Sequence, residues 1–343
     1  MKISKRNLID SLHKVLCTCI SRRSDSKVEN NDYFKRRVLG FRAEIELEEI
    51  INNHPNYEFL EGGQFITKKS NEKENQDIIY TTISYDPSDK YKDIYKIICR
   101  WDQVSNLYFL QIKTDNFWRK TNLSTKIDGL IKESQILMPE YNIFKYIIEE
   151  NKFERIGTDL SSLTSNFEKS LKTPSRHPLR KREQFEYFNE YSIQDIKKIY
   201  ANRYFIDVFL RGFRKEGLID IDGFLSFNKK YKILEIKEKS PIKNKKNEKD
   251  ILCWEYGWDS RRVMWFYYLK NTIKLDILYC IRRINNREDR IFEDWDSISL
   301  ENFLQSVNWS KSVSGGGGES TQTVSYQKFS RLIFLEPNNY LNK

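Results

Sequence analysis

Histidine is scarce in this 343-residue chain: there are three (His13, His54, His177), and none lies near a cysteine pair or another histidine. Zinc hydrolase sites and histidine-centred nuclease sites therefore lack their ligands. The five cysteines (Cys17, Cys19, Cys99, Cys253, Cys280) are an odd number at irregular spacing, which fits neither a disulfide framework nor a zinc site. Residues 1–23 are too polar for a secretory signal, so a reduced, cytoplasmic setting is expected. Long apolar runs are missing too: no stretch approaches the roughly 18 to 20 residues that cross a bilayer, and no membrane partner is expected. The glycine run at 315–318 is followed by Glu319-Ser320-Thr321, without the Lys-Ser/Thr ending of a phosphate-binding loop, and reads as a flexible loop.

What is present is a folded, water-soluble composition: 39% apolar, 14% aromatic and 31% charged residues, with a mean hydropathy of −0.70. At roughly 150 residues per domain, the length suggests two domains. Lys and Arg number 59 against 49 Asp and Glu, a net charge of +10. That excess, with a pI of about 9.1, biases the partner toward a polyanion, nucleic acid first.

Along the chain, residues 4–22 carry Leu8, Leu12, Val15, Leu16, Cys19 and Ile20 at helical spacing, and 41–51 again read as helix. Between 57 and 118 the short apolar runs 65–67, 78–85, 94–99 and 107–112 alternate with polar turns as strands do. From 127 to 151 the pattern is helical; 161–182 is polar, with Pro174, Pro178 and the basic run Arg180-Lys181-Arg182. We place the boundary there, giving an N-terminal α+β domain at 1–174 and a second domain at 175–343. The second begins with a helix at 193–213, then strands at 218–227 and 231–237 joined by the turn Asn228-Lys229-Lys230. After the lysine-rich loop 239–249, Asp259 or Ser260 caps a helix to about Lys274. The unbroken apolar run 275–281 suits a strand buried on both faces in parallel pairing. A helix near 300–307 and an apolar segment at 329–335 close the chain, and no internal repeat is visible.

The hairpin carries the chemistry. Alternate residues of a strand face the same way, so Glu235 and Lys237 share one face while Leu234 and Ile236 point to the other. Asp220 and Asp222 likewise share a face, opposite Ile219 and Ile221. Folding about 228–230 brings Asp222 across from the neighbourhood of Glu235, with Asp220 ranked second. Two carboxylates that close need a cation, and with a backbone carbonyl they make an oxygen site suited to Mg²⁺. Lys237 would orient the attacking water and offset phosphate charge.

These residues resemble the PD-(D/E)xK nuclease superfamily, which includes type II restriction endonucleases, over roughly residues 192–282. In that family a helix precedes a β-hairpin bearing Asp and then Glu-x-Lys, followed by a helix and a further strand. The resemblance implies an α/β (α+β) fold with a restriction-endonuclease-like core, a mixed β-sheet flanked by helices, in 175–343. It makes Asp222 and Glu235 metal ligands, joined by the Ile236 carbonyl, and Lys237 the catalytic lysine. Ile221 stands where the family often has proline. A further acid on the preceding helix is common in the family; Glu186, Glu190, Asp195 and Asp207 all qualify. The activity implied is Mg²⁺-dependent, sequence-specific cleavage of double-stranded DNA by a homodimer, with the N-terminal domain contributing to recognition. A cognate DNA methyltransferase would act on the same sites without binding the enzyme.

Other residues are weighed beside this set. Asp102 with Gln111-Ile112-Lys113 imitates the motif, but Gln111 brings no charge to a metal. Arg261 and Arg262 open a helix, where backbone N–H groups also favour phosphate. Lys239 and Lys243, at the lysine-rich loop, could follow a DNA backbone. Trp101, Trp118, Trp254, Trp258 and Trp265 could stack on bases, although most aromatics fall in apolar stripes. Two rival expectations remain open: a non-catalytic basic nucleic-acid-binding module, and a structure-specific nuclease such as a junction resolvase.

Overall fold

The computed structural model describes residues 30–67, 76–84, 92–101, 104–113, 141–147, 149–150, 152–157, 186, 188–207, 218–242, 254–310, 313–314 and 320–332, with 4–6, 8, 9, 12 and 16 near the N-terminus. The chain forms two compact units, neither a single stretch of sequence. One comprises Met1–Phe41, Gly63–Asp89 and Gln103–Leu218; the other comprises Arg42–Gly62, Lys90–Asp102 and Ile219–Lys343. The expected division between residues 174 and 175 lies outside the described residues. No helix among the described residues is long and apolar enough to cross a membrane.

In the first unit, the later half of β1 (Glu58–Thr67) pairs antiparallel with β2 (Gln76–Ser84). β2 runs parallel to β3 (Val104–Lys113), and β4 (Tyr141–Ile147) and β5 (Lys152–Gly157) follow antiparallel. The helical reading of 127–151 is therefore corrected at β4. Tyr141, Ile143, Phe144, Tyr146 and Ile147 are β-branched or aromatic residues that suit a pleated surface, and β3 supplies the backbone partners that decide the matter. Near the N-terminus, Leu8, Leu12 and Leu16 are helical and buried, as their four-residue spacing predicts. Helix α3 (Ile193–Asp207) opens on a capping exchange. Ser192 Oγ accepts from Asp195 N at 3.1 Å, and Asp195 Oδ2 accepts from Ser192 N at 2.9 Å.

The second unit holds a mixed sheet in the order β13-β10-β9-β7-β6-β1: β6 (Leu218–Phe227), β7 (Lys230–Lys239), β9 (Asp276–Ile284), β10 (Phe292–Ser299), β13 (Ser330–Arg331) and the first half of β1. β7 and β9 are parallel, as the apolar run of β9 predicts, while β6 with β7 and β9 with β10 are antiparallel. A parallel pair needs a crossover, and helix α4 (Ser260–Ile273) provides it. Asp259 caps α4, its Oδ1 accepting from Arg261 N and Arg262 N, and Lys274 closes it in the left-handed conformation at φ 58°.

One face of this sheet is covered by the unit's part of α1 (Asn30–Asn52). Ala43, Leu47 and Ile51 join Phe59, Leu225, Leu234, Ile236, Cys280 and Trp295 in one buried core. The other face is aromatic: Trp258 of β8 (Glu255–Asp259) stacks on Tyr279 at 4.3 Å and meets Phe266 of α4 and Phe303 of α5 (Leu300–Ser306) edge-on or tilted. Strands β11 (Val313–Ser314) and β12 (Ser320–Ser325) extend β8 into a small second sheet.

Residues 94–99 are corrected as well: they belong to helix α2 (Lys92–Ile98) and the turn after it. Ile94, Tyr95, Ile98 and Cys99 are buried while Ile97 is less so, a spacing of one and four that one side of a helix satisfies and strand alternation does not. Of the segment expected at 329–335, Ser330–Arg331 form β13, Phe329 and Leu332 flank it, and 333–335 lie outside the described residues.

Candidate active site

The hairpin turns on two residues, Asn228 and Lys229, both at positive φ (47° and 60°), between the paired residues Phe227 and Lys230. This is the backbone twist that tight hairpins favour; Asn adopts it readily, and Lys229 does so at some cost. From there the ladder runs to Gly223 opposite Leu234. Beyond it a side chain replaces the backbone acceptor: Asp222 Oδ2 takes the Ile236 N–H at 2.7 Å. The strands thus part at the residues that carry charge.

On the other flank of β6, β1 comes very close. A Cβ added to Gly62 would sit 1.7 Å from the Ile221 carbonyl oxygen and 2.8 Å from the Asp222 carbonyl carbon. A Cβ on Gly223 would run into the Phe59 ring, 2.5 Å from its Cε2 and Cζ. Glycine at these positions lets the backbone before and after Asp222 pack tightly, and glycine within a strand is the sequence signal for such an approach.

In the parted strands, Lys237 Nζ donates to Asp222 Oδ2 at 2.8 Å and to the Ile236 carbonyl at 2.9 Å, and stands 3.0 Å from Glu235 Oε1. Asp222 and Glu235 are buried, with side chains 5% and 0% exposed, whereas Lys237 is 35% exposed. Glu235 Oε1 has ion-pair proximity to Lys237 but no aligned hydrogen bond. Burial opposes ionisation of both acids. At Asp222 the Lys237 and Arg262 charges and the bonds from Lys237 and Ile236 N overcome it, holding the carboxyl below the usual carboxylate range. At Glu235 burial prevails over the same two cations and pushes the carboxyl up. Lys237 would lose its proton more easily from burial alone, but Asp222 and Glu235 reverse this and keep it a cation.

The structure thus brings Asp222, Glu235, Lys237 and the Ile236 carbonyl together. It puts the basic residues in varied settings. Arg262, read from sequence as a phosphate contact, donates through Nη2 to Glu235 Oε2 and, at 3.0 Å, to the Asp220 carbonyl. This pairing escaped the sequence reading; its signal was the position of Arg262 in the first turn after the Asp259 cap, on the helix that connects the parallel strands β7 and β9. Arg261 is exposed at the same helix end. Lys239 is the last residue of β7, and its ammonium bonds the Gly257 carbonyl and lies 5.6 Å from the Tyr279 ring centre. Burial and then the charge of Lys237 lower its pKa to about 8. Lys243, Trp118, Asp102 and the glycines at 315–318 lie outside the described residues, as do the side chains of Gln111 and Lys113. Trp101 and Trp258 are buried, and Trp265 is exposed.

The helix that packs on the hairpin within this unit is α1, through Ala43, Leu47 and Ile51. Glu186, Glu190, Asp195 and Asp207, in or before α3, belong to the other unit, and Asp195 is engaged in its helix cap. Nearness in sequence does not determine which helix covers a sheet.

Among the described residues no three His, Cys, Asp or Glu side chains cluster as a metal cage. The oxygens that Asp222, Glu235 and Ile236 bring together are those of two carboxylates and one carbonyl. Compared with protein-family models, with curated proteins and with solved structures, the chain has no match in any of the three.

Proposed function

We propose that this chain is a Mg²⁺-dependent, sequence-specific DNA endonuclease of the PD-(D/E)xK kind, hydrolysing phosphodiester bonds in double-stranded DNA. The observation that carries the reading is the meeting of Asp222, Glu235 and Lys237 where β6 and β7 part. The order of elements in that unit is compatible with it: helix α1, strand β1, the short helix α2, hairpin β6–β7, strand β8, helix α4, strand β9. The net charge of +10 suits a phosphate backbone.

The donor set fits a divalent cation. Asp222, Glu235 and the Ile236 carbonyl are hard oxygen ligands, and the buried Glu235 Oε1 has no aligned hydrogen bond, a lone-pair position that such an ion would satisfy. A Mg²⁺ held there would lower the pKa of bound water and stabilise charge on a phosphoryl oxygen. Lys237 is the least buried member of the set and stays protonated, so it acts as a donor and positive charge that orients water and meets a phosphate oxygen, not as a base. Asp222 fixes that ammonium through Oδ2 and ties it to the Ile236 amide. Cutting both strands of a duplex calls for two such sites, supplied by a homodimer.

The test is incubation of the purified protein with plasmid and phage DNA of known sequence, with Mg²⁺ or with EDTA. Discrete fragments only with Mg²⁺ are expected. Asp222→Ala, Glu235→Ala and Lys237→Ala should each slow cutting by about 10²-fold or more while DNA binding in Ca²⁺ persists. A shifted band without cleavage on diverse DNA would make the chain a binding module, and cutting confined to branched DNA would make it a structure-specific nuclease.

A further inference from the structure

The carboxylate that the proposed metal needs is already neutralised from within. Asp222 and Glu235 bring two negative charges, and Lys237 and Arg262 bring two positive ones. Glu235 Oε2 is taken by Arg262, a residue of a different element, which reaches down from the first turn of α4.

The grip has a particular form. One nitrogen, Nη2, makes both the Glu235 and Asp220 contacts, while Nε is buried without a hydrogen-bond partner among the described residues. The Phe266 ring lies 5.4 Å below the guanidinium. Elsewhere in the same unit Arg282 shows a two-nitrogen grip: Nε and Nη2 bond the two oxygens of Glu46 at 2.5 and 3.0 Å, and its side chain is only 5% exposed. The Arg262 side chain is 31% exposed. A two-pronged, enclosed guanidinium is a permanent fixture; a one-pronged, part-exposed one can be exchanged.

Resting on the metal reading above, we infer that Arg262 is an internal counter-cation, which occupies Glu235 in the metal-free protein and which a divalent ion must displace to bind. It gives the buried Glu235 carboxylate a cation on the oxygen that Lys237 does not reach, and so offsets part of the cost of burying its charge. It also lowers the site's affinity for the ion, since part of the binding free energy goes into breaking the Arg262–Glu235 pair. A group that merely oriented Glu235 as a ligand would do the reverse, and its loss would weaken binding.

The experiment uses the full chain without DNA. Mn²⁺, in place of Mg²⁺, is titrated while the free ion is followed by electron paramagnetic resonance, and the metal-dependent rise in Tm is recorded in parallel. Arg262→Gln is expected to bind Mn²⁺ about tenfold more tightly than the natural protein, because a repelling charge and a competitor are both gone. Arg262→Lys keeps the charge but not the planar group that serves Glu235 and Asp220 together, and about threefold is expected. Should Arg262→Gln not melt cooperatively, Arg262→Lys decides the matter. Unchanged or weaker binding in the folded variants overturns the inference while leaving the metal reading intact. Natural protein that binds no Mn²⁺, or binds it no better than Asp222→Ala, removes the metal reading and the inference with it.

Discussion

Glu238 shows how much a single residue of this unit can carry. It lies next to Lys237 but on the opposite face of β7, its side chain 1% exposed, and receives three arginines: Arg42 at 3.2 Å, Arg282 at 3.2 Å and Arg290. Arg282 in turn holds Glu46 of α1, and Arg42 Nη2 reaches the Arg290 carbonyl at 3.3 Å. The network joins α1, β7, β9 and the turn before β10 by charge. Removing the central carboxylate takes a shared counter-ion from three largely buried guanidinium groups, of which Arg282 keeps Glu46, and Glu238→Ala is expected to cost about 3–5 kcal/mol of stability. Urea denaturation checks this; a loss under about 1 kcal/mol would mean that the arginines are satisfied by water. The face of Glu235 and Lys237 was legible in the sequence, because strand alternation requires it. The partners of Arg262 and Glu238 were not, because they lie 27 to 196 residues away and nothing local encodes which distant acid an arginine meets.

At the scale of elements, local chemistry explains most of what formed. The hairpin, the Asp259-capped helix and the apolar β9 all follow from residues within one element's length. Where the sequence reading went astray, at residues 94–99 and 141–147, the runs were short and apolar, and such runs suit a helix or a strand until a partner decides. The approach of β1 to β6 is different in kind. Gly62 abuts the Ile221 carbonyl and the Asp222 carbonyl carbon, and that backbone cannot swing aside as a side chain end could. Gly62→Ala must displace one strand from the other, at about 1–3 kcal/mol by the usual cost of overpacking. The shift falls on Asp222, so cleavage should drop more than the melting temperature alone would suggest. Measured in parallel, undiminished activity in a destabilised variant would dissociate the β1 contact from the site.

At the scale of the molecule, the unit that bears Asp222, Glu235 and Lys237 is assembled from three separated segments. Ala43, Leu47, Ile51 and Phe59 come from the first of these and share a core with Leu234, Ile236 and Trp295 from the last. Burying a large apolar side chain contributes about 1.5–3 kcal/mol. Losing three of that size and an alanine therefore consumes much of a typical domain stability of about 5–15 kcal/mol. A fragment of residues 175–343 is accordingly expected to lack a cooperative thermal transition by circular dichroism, while the full chain shows one; a fragment that melts sharply would show that the α1 segment is dispensable. Sequence alone determined the charge balance, the elements with strong local patterns, and the pairing of Asp222 with Glu-x-Lys across a hairpin, since each depends on a few consecutive residues. Only the tertiary structure decided which helix covers the sheet, that β1 lies against Asp222, and that Arg262 neutralises Glu235. These are contacts between residues far apart in the chain, selected by packing and by the need to pair buried charge.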